Sequence, residues 1–183
     1  MIRVLIMVFF CSFLALNSAF AENKTPKTVL DYFQRLPERY FEVPEVRTEW
    51  LKHKSTVVDI ANGYLFLQGD GAQSSLFVCI FKKSDQQRII AVHDESPDSN
   101  TLSFYTYHAG QWQDITSQVL PKDIDAAFLA VNADGAEDTN FAHNIKMPRH
   151  GTTIVIENAE HKKTHELVWQ KDTGTFQLNA LKP

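Results

Sequence analysis

The six residues Gly69-Asp70-Gly71-Ala72-Gln73-Ser74 come nearest to a recognisable chemical motif in this chain. A dinucleotide fingerprint, G-x-G-x-x-G, closes a strand and opens a helix whose N-terminal amides hold a pyrophosphate. Here Ser74 stands where the third glycine belongs, and the strand-like YLFLQ does precede the motif. The following SSLFVCIFKK is rich in aromatic and β-branched residues and reads as a buried strand, not a helix opening. Asp94 lies roughly 20 residues on, where a ribose-binding acid would sit, and the lysine of a phosphate-binding loop is missing. The motif is therefore expected to be a hairpin connection, and no cofactor is expected.

The other reactive side chains are equally short of partners. Cys79 lies between Phe77, Val78, Ile80 and Phe81, whereas a reactive thiolate needs an electropositive, partly open setting. It is expected to be buried and inert. Of the 7 histidines, His161 and His165 have a spacing that would pair imidazoles on a helix. The surrounding ENAEHKKTHELVW instead reads as strand, polar loop, strand, so no metal site is expected. His93 and His108 are expected at strand ends, and His143 and His150 flank an irregular segment. Asn132 to Asn140 concentrates Asp134, Glu137 and Asp138, yet places Ala130 and Phe141 where a calcium-binding loop needs oxygen ligands. A solvated loop is expected. No G-x-S-x-G occurs, and no short motif groups a serine with a histidine and an acid.

One aromatic group remains. In LSFYTYHAGQW, Tyr105 and Tyr107 share one strand face, Phe104 takes the other, and Trp112 follows across a short turn. With Phe104 in the core, Tyr105, Tyr107 and Trp112 are the expected binding residues, on an outer face suited to protein or glycan contacts. That expectation requires the face to be free of a covering helix.

The elements that must position these residues change character along the chain. Thr25-Pro26 resembles a helix cap and first position, followed by Val29, Phe33 and Leu36 at helical spacing and stopped by Pro37. A second short helix is expected from Pro44, and a third from Asp123 through Val131. From Ser55 the period becomes two, with an Asn62-Gly63 hairpin signal suited to a type I′ turn. Strands are expected at 55–60, 64–68, 75–82, 88–93, 101–108, 111–114, 152–157, 165–170 and 175–179. The fold class is α+β, with N-terminal helices packed on a curved, largely antiparallel meander sheet; a closed antiparallel β-barrel is the alternative.

The N-terminus bears on compartment. Arg3, the apolar Val4 to Leu16 and Ala19-Phe20-Ala21 together describe a secretory signal peptide, residues 1–21. Its removal leaves residues 22–183 as a single domain of 162 residues, periplasmic or secreted, without a membrane span. It would carry 17 Lys and Arg against 22 acidic residues, a net charge of −5. That balance speaks against a nucleic-acid partner. Cys79 alone remains, so the domain must be stabilised by its core and not by an internal disulfide.

In outline the chain resembles small exported bacterial proteins that lay a helix on an antiparallel sheet, among them periplasmic inhibitors, immunity proteins and cystatin-like modules. Fold of this kind does not fix function. The leading expectation is a non-catalytic binding domain that contacts another protein. The alternatives are a carrier of a small apolar ligand and a hydrolase of cell-wall or secreted substrates.

Overall fold

The computed structural model describes residues 25–41, 44–69, 74–96, 99–124, 143–158 and 163–180. The expected signal peptide, the helix from Asp123 beyond Ile124, and the Asn132–Asn140 loop lie outside them.

Strands β1 (Val57–Asp59), β2 (Tyr64–Leu67), β3 (Ser75–Lys82), β4 (Arg88–Ser96), β5 (Ser99–His108) and β6 (Gln111–Asp114) pair antiparallel in chain order, as one six-stranded sheet. Strands β7 (His143–Lys146), β8 (Thr153–Asn158), β9 (Lys163–Gln170) and β10 (Thr175–Ala180) form a separate four-stranded antiparallel sheet. The helices are short: α1 (Val29–Phe33), α2 (Pro44–Lys52) and α3 (Thr116–Val119), with a 3-10 turn at Glu38–Tyr40. The chain is thus mainly β. The expected single meander is two, and among the described residues β1 and β6 remain edges and do not close a barrel.

The reason for a second sheet is written in β3. Leu76, Val78 and Ile80 face one side and Phe77, Cys79 and Phe81 the other, so neither face tolerates water. On one face α1 and the turn after it bring Val29, Tyr32, Phe33, Leu36 and Phe41 against Leu65, Leu67, Leu76, Val78, Ile90, Val92 and Tyr105. On the other face, the second sheet supplies Ile145, Ile154, Ile156, Leu167, Trp169 and Phe176. At the centre of this inter-sheet layer the Phe176 ring lies 5.0 Å from Phe81, 5.0 Å from Trp169 and 5.2 Å from Phe104. Trp169 Nε1 donates to the Lys82 carbonyl at 3.0 Å, so its one polar atom is satisfied.

The helix cap lies three residues later than expected. Thr28, not Thr25, caps α1: its hydroxyl accepts from Asp31 N, and the Asp31 carboxylate accepts from Thr28 N, a reciprocal capping box. The first hairpin also differs in detail. Asp59 pairs with Tyr64, which leaves Ile60 to Gly63 as the loop. Only Gly63 adopts positive φ, at 65°, while Asp59 accepts from Asn62 N and Nδ2. The carboxylate organises the turn, so the two-residue type I′ turn is not needed.

The helical segment is integral to the sheet's stability. Phe33 is fully buried and meets Phe41 edge to face at 5.5 Å. Phe33→Ala is expected to lower unfolding free energy by about 3–5 kcal/mol, measured by urea denaturation. A loss below about 1 kcal/mol would mean that the helix seat contributes little.

Candidate functional site

Two groups of side chains sit on opposite faces of the six-stranded sheet. The first contains the expected binding residues. Pairing of β5 with β6 sets Tyr107 opposite Trp112 and Tyr105 opposite Asp114. The three aromatic residues do come together: Trp112 lies 5.9 Å from Tyr105 and 4.9 Å from Tyr107, centroid to centroid. Their face is not open, however. Tyr32 of α1 packs edge-on against Tyr107 at 6.3 Å and Trp112 at 6.2 Å. Trp112 Nε1 donates to the Arg35 carbonyl at 2.6 Å. Tyr105 is only 2% exposed, its hydroxyl 2.7 Å from that of Tyr40 and hydrogen-bonded by the Arg39 guanidinium. Burial raises the Tyr40 and Tyr32 phenols above their ordinary range. The expected outer surface is therefore corrected at Tyr105, which belongs to the seat of the N-terminal segment. Tyr107 and Trp112 are half-buried.

The second group was not singled out by motif. Strand register sets Phe66, Phe77, His93 and Leu102 side by side across β2, β3, β4 and β5. Phe66 and Phe77 are 4.6 Å apart, and the Phe77 ring stacks on the His93 imidazole at 5.2 Å with planes 19° apart. This row faces the inter-sheet layer, yet Phe66, Phe77 and Leu102 are only half-buried, as is Leu178 from the second sheet. By contrast Phe81, Phe104 and Phe176, further along the same face, are buried. The inter-sheet layer is therefore closed at one end and still partly accessible at the other.

His93 lies within β4 and not at a strand end, and is fully buried. Its Nε2 lies 2.7 Å from Asn100 Oδ1, while Nδ1 has no hydrogen-bond partner among the described residues. With the amide oxygen accepting, Nε2 carries the hydrogen and Nδ1 presents its lone pair. Burial pushes the imidazole below its ordinary range, against the opposing pull of the Asn100 bond and of Glu95 and Asp94. Phe77 and Leu102, beside it on β3 and β5, bring no charge. His165 lies on β9 at the parity of Leu167 and Trp169, both in the inter-sheet core, and its Nδ1 is likewise buried without a partner. The turns gave no sign of this arrangement. The signal lay in the period of two, since Phe66, Phe77 and His93 align once the hairpin registers are known.

The remaining candidates separate cleanly. Cys79 is buried, with Sγ 3.8 Å from the Pro148 carbonyl, and burial pushes its thiol up to about 12. Residues after Ser74 form β3, so no helix N-terminus follows the glycine motif; 70–73 lie outside the described residues. His161 does too, whereas β8 and β9 are the two strands expected on either side of it. His108 ends β5, as expected, and is exposed, as is His150. Among the described residues no group of three or more His, Cys, Asp or Glu side chains is placed to hold a metal.

No protein-family model and no curated protein sequence matches the chain. A solved domain of an uncharacterised protein from Porphyromonas gingivalis W83 is similar in fold, with a TM-score of 0.53 and 16% identity. The alignment covers 82% of this chain and 97% of that one.

The environment of His93 sets a pH dependence. The folded state favours the neutral ring, whereas the unfolded chain takes up a proton near the ordinary value of about 6.5. The stabilising contribution is therefore whole above about pH 6.5 and is lost as pH falls below it. The urea midpoint is expected to decline between about pH 7 and pH 5, with part of that decline absent in His93→Phe. Identical pH profiles for the two proteins would refute it.

Proposed function

We propose that the chain is a non-catalytic, exported binding domain that takes a small apolar molecule on the Phe66–Phe77–His93–Leu102 row. The observation that carries this reading is partial burial where full burial is expected. Phe66, Phe77, Leu102 and Leu178 face the inter-sheet layer but keep part of their surface accessible, a state that an apolar ligand would relieve. His93, the buried histidine of this row, is hydrogen-bonded to an amide and stacked on a phenyl ring, and among the described residues no carboxylate is hydrogen-bonded to it. That environment suits a recognition group better than a general base, which needs an orienting acid or a reachable proton. Export follows from the signal-like N-terminus and is part of the same proposal.

Pyrene, an apolar fluorophore without hydrogen-bonding groups, is a suitable probe for the signal-free chain. It is expected to bind with micromolar affinity and to be weakened about tenfold or more by Phe77→Ser, through lost apolar contact. Absence of binding at solubility-limited pyrene concentrations would sink the reading.

A protein partner is the second reading, favoured by the half-buried Tyr107 and Trp112 on β5 and the edge strand β6. Val58 and Ile60, 39% and 53% exposed, add apolar surface at the opposite edge. Tyr105 is not part of this surface. Removing a central interface aromatic typically costs about 2 kcal/mol or more. Tyr107→Ala is therefore expected to lose a partner captured by the wild-type protein from periplasmic extract, while remaining folded by circular dichroism. Retention of every partner by this variant and by one altered at Val58 and Ile60 would reject both edges as the contact.

A further inference from the structure

We infer that the ligand of the half-buried row carries a hydroxyl head, as in an alcohol, a phenol or an un-ionised carboxylic acid, which hydrogen-bonds the unpartnered ring nitrogens of His93 and His165. This rests on the apolar-ligand reading above and adds the chemistry of the head. Buried polar atoms in folded proteins are nearly always paired, so each exception calls for an explanation. Here two imidazoles have the same atom, Nδ1, buried without a partner, and both stand on strands that line the inter-sheet layer.

Topology places them toward the same end. The β3–β4 and β9–β10 turns are joined, Ser84 N donating to the Lys171 carbonyl at 3.0 Å and Ser84 Oγ bonding Asp172. His93 lies beyond the middle of β4 from that junction, and His165 near the start of β9, which reaches the junction at its end. Both are therefore displaced toward the end where Phe66, Phe77, Leu102 and Leu178 remain accessible. The ring row offers a dry surface for an aliphatic or aromatic body, and the two imidazoles offer the polar contacts.

The chemistry of those nitrogens selects the head. The His93 Nδ1 lone pair needs a donor, because Nε2–H is committed to Asn100. A hydroxyl gives its one hydrogen to His93 and accepts through its oxygen, so the same head suits His165 in the tautomer that carries its hydrogen on Nδ1. A carboxylate has no hydrogen to give. An ammonium head would bury a charge beside apolar rings, which is costly without a counter-ion. The carboxyl groups nearest in sequence, Asp94 and Glu95, act on the His93 ring itself. By strand alternation Asp94 points to the opposite face of β4, and Glu95, on the face of His93, is exposed to water and not buried beside the rings.

The test compares 1-dodecanol with its methyl ether, which has the same chain but no donor, by displacement of pyrene from the signal-free protein. The alcohol is expected to bind about tenfold more tightly, the typical scale of one hydrogen bond. That preference should fall below about twofold when His93→Phe and His165→Phe are combined, with folding of each variant checked by circular dichroism. Should His93→Phe fail to fold, His165→Phe, at a half-buried position, carries the comparison, and it should reduce the preference. Equal binding of alcohol and ether to the wild-type protein would overturn the hydroxyl head while leaving the apolar-ligand reading intact. Failure of both, and of pyrene, would remove the two together. A preference that survives in the folded histidine variants would overturn the assignment to these imidazoles.

Discussion

A sheet that is apolar on both faces must be covered on both, and this constraint organises the molecule. The six-stranded meander meets it asymmetrically. One face receives α1 and the turn after it, anchored by Phe33, Leu36 and Phe41; the other receives the four-stranded sheet, anchored by Trp169 and Phe176. Burying one such side chain is worth about 1.5–3 kcal/mol, and a favourable aromatic pair adds about 0.5–1.5. Without either covering layer, a row of large apolar side chains would face water.

The second layer is pinned more firmly at one end. There, Trp169 bonds the Lys82 carbonyl, Ser84 bonds the β9–β10 turn, and Arg149 pairs with Asp59 at 2.9 Å. Asp59 is held down to about 2 by its bonds from Asn62 and Arg149. The Arg149 side chain is 52% exposed, which makes the pair more a positional tie between the β7–β8 loop and the β1–β2 hairpin than a source of stability. At the same end Gly174, with φ of 73°, leaves room for the Lys83 side chain, which a Cβ would meet at 2.6 Å. Toward the other end the packing thins, and the layer offers rings and imidazoles with incomplete partners.

The aromatic cluster on the helix face illustrates how one set of side chains can be mistaken for another. Tyrosine and tryptophan serve interfaces because each joins an apolar body to a polar tip. The same property suits them to seat a chain segment, as Tyr105 does for Tyr40 and Arg39, and Trp112 does for Arg35. Part of what resembled a surface for a partner is occupied by this chain's own N-terminal segment.

Local pattern determined much of the secondary structure. The period of two predicts β3 and β6 with the bounds observed, and places β2, β4, β5, β8, β9 and β10 within a few residues. The apolar neighbours of Cys79 predict its burial. These features are local because alternation and turn chemistry act over a few residues. The sequence pattern missed β7, whose HNIK is too short and polar to stand out, and α3, a single turn after Ile115. Tertiary structure alone decided that the ten described strands divide into two sheets, that Tyr105 lies under the helical segment, and that His93 stacks on Phe77. Each depends on which distant face covers which. Alternation says that a strand has two apolar faces, but only the packed chain assigns a cover to each and leaves one row partly uncovered.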